Sequence, residues 1–70
     1  MDYGKHLEKI RMEHNISQTE LATKIGTSHQ NINRWERNLV LPNIHFCVKL
    51  ADFYGVTLDE LIGREVKKNW

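Results

Sequence analysis

An all-α fold of five short helices is predicted for this 70-residue chain, and three observations carry the prediction. Two capping boxes, Ser17 with Glu20 and Thr57 with Glu60, mark helix starts, because each hydroxyl can accept from a free N–H of the first turn while the glutamate reaches back. Gly26, Gly55 and Gly63 stand where helices would end, at the position where a left-handed residue is cheapest. Between these marks the apolar residues recur at three- and four-residue steps, which is the spacing of one helix face.

The bulk properties bound the reading. Seventy residues allow one domain with a modest core. With 40% hydrophobic and 27% charged residues, the composition is that of a globular protein and not of a disordered one. Net charge is only +1, so the electrostatic part of any nucleic-acid binding must come from local placement of cations and not from an overall basic field. One cysteine cannot form an intrachain disulfide. The amino terminus MDYGKHLEKI has no apolar signal-peptide core, and no apolar run approaches membrane-spanning length. A cytoplasmic location is therefore expected.

The elements follow in order. The first helix is expected from about Tyr3 to His14, with Tyr3, Leu7, Ile10 and His14 on one face and Asn15 ending it in the left-handed region. Arg11 lies at the edge of that face, about 40° from Leu7 by the helical step, where it can reach a neighbour. The second helix starts at the Ser17 cap, with Ile16 and Leu21 as a hydrophobic staple and Leu21, Ala22 and Ile25 as its apolar face, and Gly26 closes it. Thr27 and Ser28 leave only a short turn before Ser28 caps a third helix running to about Arg37. Pro42 disfavours helix at Leu41 and so separates the third helix from the fourth. Asn43 can cap that fourth helix, from Ile44 to Tyr54, where Ile44, Cys47, Val48, Leu50, Ala51 and Tyr54 crowd one side and Gly55 closes it. A fifth, capped by Thr57 and stapled by Val56 and Leu61, runs to about Ile62 and stops at Gly63. Residues 1–63 form the domain and 64–70 a short tail.

Ile16 to Asn38 is thus two short helices joined by a tight turn, a helix-turn-helix. On the second of them Ile32 and Trp35 share the inward side, with Trp35 as a core anchor. The opposite side is centred on His29, Gln30, Asn33, Arg34 and Arg37, with Asn31 on the flank. A solvated helix face is usually rich in Glu and Lys, and this one has neither. Its amide, guanidinium and imidazole groups match base edges: Gln and Asn pair bidentately with adenine, and Arg with guanine, in the major groove.

Through SQTELATKIG, INRWER and LPNIHFCVKLADFYGVTLDEL the chain resembles the Cro and lambda-repressor type of helix-turn-helix proteins, the xenobiotic-response-element family, over roughly residues 5 to 63. The resemblance implies a compact five-helix DNA-binding domain whose third helix lies in the major groove. Carried over position by position, it makes Ser28, His29, Gln30, Asn33 and Arg34 the base-reading candidates, Gln30 foremost. Ser28 has a competing job as a cap. A helix amino terminus attracts anions, and the resemblance places Ser17 and Gln18 there on a phosphate, with Arg37 and Asn38 near the neighbouring backbone. Arg11 and Glu36 match an ion pair that ties the first helix to the third.

Other constellations carry less. His45 and Cys47 are two apart and diverge on a helix, and His6 and His14 are two turns apart, so no metal site is indicated. Cys47 reads as a packed thiol. No glycine spacing resembles a phosphate loop, and no nucleophile, base and carboxylate set is suggested, so no enzyme activity, cofactor or small-molecule ligand is expected. Ile62, Val66 and Trp70 fall at four-residue intervals and are the candidate dimer contact. The expected function is that of a small repressor reading a palindromic site on double-stranded DNA as a homodimer. The rival is a protein-binding module of the same fold, such as an antitoxin or an antagonist of another regulator.

Overall fold

The computed structural model describes residues 2–63, and every described element is helical. In chain order these are α1 (Tyr3–Glu13), α2 (Gln18–Ile25), α3 (His29–Glu36), α4 (Ile44–Tyr54) and α5 (Leu58–Ile62). Both capping boxes form: Ser17 Oγ accepts from Glu20 N at 3.0 Å and Thr57 Oγ1 from Glu60 N at 3.1 Å, with each glutamate accepting from the N–H of its cap. Gly26, Gly55 and Gly63 all take positive φ at the helix ends. No helix among the described residues is long and apolar enough to cross a membrane.

The core is built from one face of every helix: Leu7 and Ile10 of α1, Leu21, Ala22 and Ile25 of α2, Ile32 and Trp35 of α3, Leu50, Ala51 and Tyr54 of α4, and Leu61 of α5. Tyr3, Ile16, Phe46, Cys47 and Val56 pack against it, half-buried. α3 lies between α1 and α2, and α5 closes the far side against α1 and α4. That arrangement fixes α3 from behind while leaving its outer side uncovered.

Three details differ from the sequence reading. α1 is capped by Asp2, whose carboxylate accepts from Lys5 N at 3.0 Å, and ends one residue early, with His14 as an exposed cap residue; Gly4 takes the buried place on that face. α3 likewise ends at Glu36, with Arg37 as its cap. On α4, Ile44 (70% exposed) and Val48 lie outside the core. Its six apolar positions span about 160° by the helical step, and the helix is rolled toward Phe46, so that Leu50, Ala51 and Tyr54 go inward and the trailing edge of the stripe faces out. Phe46 uses that roll to meet the Trp35 ring at 5.4 Å between centroids.

Three of the four side chains weighed for metal binding have hydrogen-bond partners. His6 Nε2 is 2.7 Å from the Glu60 carbonyl oxygen, His14 Nδ1 is 2.9 Å from that of Ile10, and Cys47 Sγ donates to Pro42 O at 3.6 Å. Burial raises the Cys47 pKa, as suits a packed thiol.

Candidate nucleic-acid interface

The turn between α2 and α3 is set by two local events. Gly26, with φ of 78°, bends the chain while its N–H still bonds to Ala22 O. Ser28, in extended conformation, then starts α3 by accepting from Asn31 N at 3.3 Å. Asn31, placed on the flank by the sequence, has a bracing role that the sequence left open. Its amide donates to Thr27 Oγ1 at 2.9 Å and its carbonyl oxygen accepts from Arg34 Nη1 at 3.3 Å, which restrains Arg34 on the outer face.

Ile32 and Trp35 bury the inner side of α3, and the outer side presents His29, Gln30 and Arg34 exposed and Asn33 half-buried. These four, with Arg37, form one wall of an open cleft of about 370 Å³. Gln18, at the first position of α2, and Leu39, beyond the end of α3, complete it. The fold therefore brings Gln18 beside the α3 side chains.

Behind the cleft stands a braced carboxylate. Glu36 is 7% exposed and accepts from Arg11 Nε at 2.6 Å, from Arg11 Nη2 at 3.0 Å and from Gln18 Nε2 at 3.0 Å. Arg11 also donates to Ile16 O at 2.9 Å, so one guanidinium ties α1, the loop before α2, and α3 together. The bond to Glu36 raises the Arg11 pKa although burial opposes it. The pairing anticipated for Arg11 and Glu36 is present, and Gln18 joins it.

Ser17 and Asn38 have structural work. Ser17 gives both its hydroxyl and its backbone N–H to the capping box. Asn38, at φ of 61°, turns its side chain to α1: Oδ1 accepts from Gly4 N at 3.0 Å and Nδ2 donates to Asp2 Oδ1 at 2.8 Å. Its amide faces the start of α1, whereas Arg37 lies on the cleft.

The profile of the Helix-turn-helix family matches residues 7–61, which runs from the core of α1 to the core of α5. The chain belongs to the Cro/C1-type helix-turn-helix family. Among members of this family it is 31% identical to the HTH-type transcriptional activator BcrR of Enterococcus faecalis, over 93% of this chain and 32% of that protein. It is 32% identical to the HTH-type transcriptional regulator ImmR of Bacillus subtilis, over 99% of this chain and 56% of that protein. The chain thus spans about a third of the length of the first relative and just over half of that of the second. The P22 c2 repressor, solved in complex with a synthetic operator, superposes with a TM-score of 0.85 at 25% identity, covering 93% of this chain and 98% of that one. The helix-turn-helix family and these relatives are DNA-binding transcriptional regulators and not enzymes.

Proposed function

We propose that this helix-turn-helix chain is a sequence-specific repressor that reads double-stranded DNA through the major groove, as a homodimer on an inverted repeat in the cytoplasm. The observation that carries the reading is the outer side of α3: a row of amide, guanidinium and imidazole side chains without a glutamate or a lysine, exposed apart from the half-buried Asn33, on a helix braced from behind. Ser28, His29, Gln30, Asn33 and Arg34 face the bases, with Gln30 making the most specific contact. Gln18, at the positive end of α2, and Arg37 hold phosphates on either side. Ser17 and Asn38 serve the same contacts by fixing the backbone there.

The dimer follows from the limited reach of one short helix. Useful specificity needs two half-sites about one helical turn apart. Ile62, half-buried on α5, is the described part of the contact; Val66 and Trp70 lie outside the described residues.

A second reading, a protein-binding module, draws on one feature. Residues 38–48 contain no Asp, Glu, Lys or Arg, and Leu41 and Ile44 within them are exposed. Depletion of charge around exposed apolar side chains is the composition of a protein interface.

Selection from a random duplex library at near-physiological salt, followed by sequencing of the bound pool, separates the two. An enriched inverted repeat is expected. An enriched single half-site removes the dimer and keeps the DNA reading, and absence of enrichment from folded protein favours the protein-binding module. On the enriched site, Gln30→Ala and Arg34→Ala are expected to cost roughly 1–3 kcal/mol each and to relax base choice.

A further inference from the structure

We propose that Asn31 is a positioning residue for base choice, one that aims the Arg34 guanidinium at guanine without neutralising it; the inference rests on the DNA reading above. Three and four residues before Arg34, the places from which a helix side chain reaches it, stand Asn31 and Gln30. A carboxylate at either would pair with the arginine and offset the charge that a phosphate backbone attracts. Among the described residues lining the cleft there is no carboxylate. An amide at position 31 therefore orients the cation and leaves its charge whole. Asn31 itself does not line the cleft, so its effect there passes through Arg34.

The brace is anchored at its far end. Asn31 Nδ2 donates to Thr27 Oγ1 at 2.9 Å, and the half-buried Thr27 is fixed in turn by its own N–H, which donates to Ala22 O at 2.9 Å. With its amide nitrogen tied to the turn, Asn31 offers Oδ1 to Arg34 Nη1 at 3.3 Å. An exposed arginine gives up rotamer freedom when it binds, and one held beforehand gives up less. Guanine presents N7 and O6 side by side and takes two N–H groups from one guanidinium. That contact demands a set orientation, whereas a phosphate accepts an arginine from many directions. Of the five guanidinium N–H groups the bond to Asn31 uses one, so a bidentate contact remains available.

The test uses the duplex enriched from the random library, with each guanine replaced singly by 7-deazaguanine, which removes the N7 acceptor and keeps base pairing. The full chain is expected to lose about tenfold in affinity at one guanine of a half-site. Arg34→Ala should abolish that response. Asn31→Ala keeps the arginine and its charge, so it should cut the response to about threefold or less while leaving affinity for a non-specific duplex, and its salt dependence, unchanged. Thr27→Val, which removes the hydroxyl that anchors the amide, should lower the response in the same way. The double variant Asn31→Ala with Arg34→Ala should bind no more weakly than Arg34→Ala alone. A full response in folded Asn31→Ala, or losses that add in the double variant, overturns the positioning role while leaving the DNA reading intact. An enriched site at which no guanine N7 matters does the same. A folded chain that enriches no site overturns both.

Discussion

Gln18 and Glu36, eighteen residues apart, are joined by a hydrogen bond of 3.0 Å from the Gln18 amide to the Glu36 carboxylate. The same carboxylate holds Arg11, so one buried anion locates side chains from α1 and α2 relative to α3. An amide has two N–H groups, and the second, with the carbonyl oxygen, remains for a ligand in the cleft. The candidate phosphate contact is therefore aimed by the residue that anchors α3.

Removing the cation should expose that dependence. Arg11→Ala leaves Glu36 buried without its counter-charge, and a loss of about 3 kcal/mol in unfolding free energy is expected from the cost of breaking buried pairs. Urea denaturation measures it. A loss below about 1 kcal/mol would mean that the pair behaves as a solvent-screened surface contact.

Gly4→Ala should destabilise, although alanine ordinarily improves a helix by up to about 1 kcal/mol. A Cβ at position 4 would clash with the Glu36 carbonyl oxygen and lie 2.8 Å from Asn38 Oδ1, so α1 and the end of α3 would have to separate. Overpacking of this kind costs about 1–3 kcal/mol. A melting temperature equal to or above that of the parent chain would show that the seam is loose.

Tyr54→Phe is expected to leave stability unchanged or raise it by about 1 kcal/mol. Among the described residues the buried Tyr54 hydroxyl has no hydrogen-bond partner, and leaving such a group unsatisfied carries a penalty of about 1–3 kcal/mol. Burial, reinforced by the Glu36 carboxylate, pushes its pKa up to about 12, so it stays protonated at neutral pH. A clear loss of stability on denaturation of the phenylalanine variant would reveal a partner for the hydroxyl.

Acid should loosen the start of α1. The Asp2 carboxyl is held below its ordinary value of 3.8 by the Lys5 N–H and then by the Asn38 amide. A carboxylate whose pKa is lower in the folded chain adds stability that is complete above the ordinary value and disappears as pH falls through the lower, folded one. The Lys5 amide resonance should therefore move with acidification only below about pH 4. Asp2→Asn keeps an oxygen at the cap and should abolish that movement; a shift that persists in the variant would assign the titration elsewhere.

What the sequence disclosed well is what depends on near neighbours. A serine or threonine three residues before a glutamate, or a glycine after the last apolar step, specifies a helix end within one turn, and every interior boundary of this kind formed. The Arg11–Glu36 pairing spans 25 residues and was legible only through the family resemblance. The contacts that stayed hidden join distant positions through small groups: Gly4 lies under Asn38, Asp2 bonds to the same amide, and Gln18 reaches Glu36. Nothing in a helical period distinguishes a glycine at a backbone seam from one that is merely tolerated. The outward placement of Ile44 and Val48 was hidden for another reason, since an apolar arc of about 160° does not say which of its edges the neighbouring helices will cover. Leu39 entered the cleft because of the turn at Asn38, which a hydrophobicity pattern does not register.

The stitch at Asn38 bears on protein design. The end of α3 is held by residues 34 and 36 positions earlier in the chain, ahead of the motif itself. A transplant of α2, the turn and α3 into another scaffold would carry the outer α3 side chains proposed to face the bases but leave behind Asp2, Gly4 and Arg11. Recognition here is not a portable cassette. A graft intended to keep its specificity has to include the first turn of α1, or supply a new brace for Glu36 and Asn38 in its place.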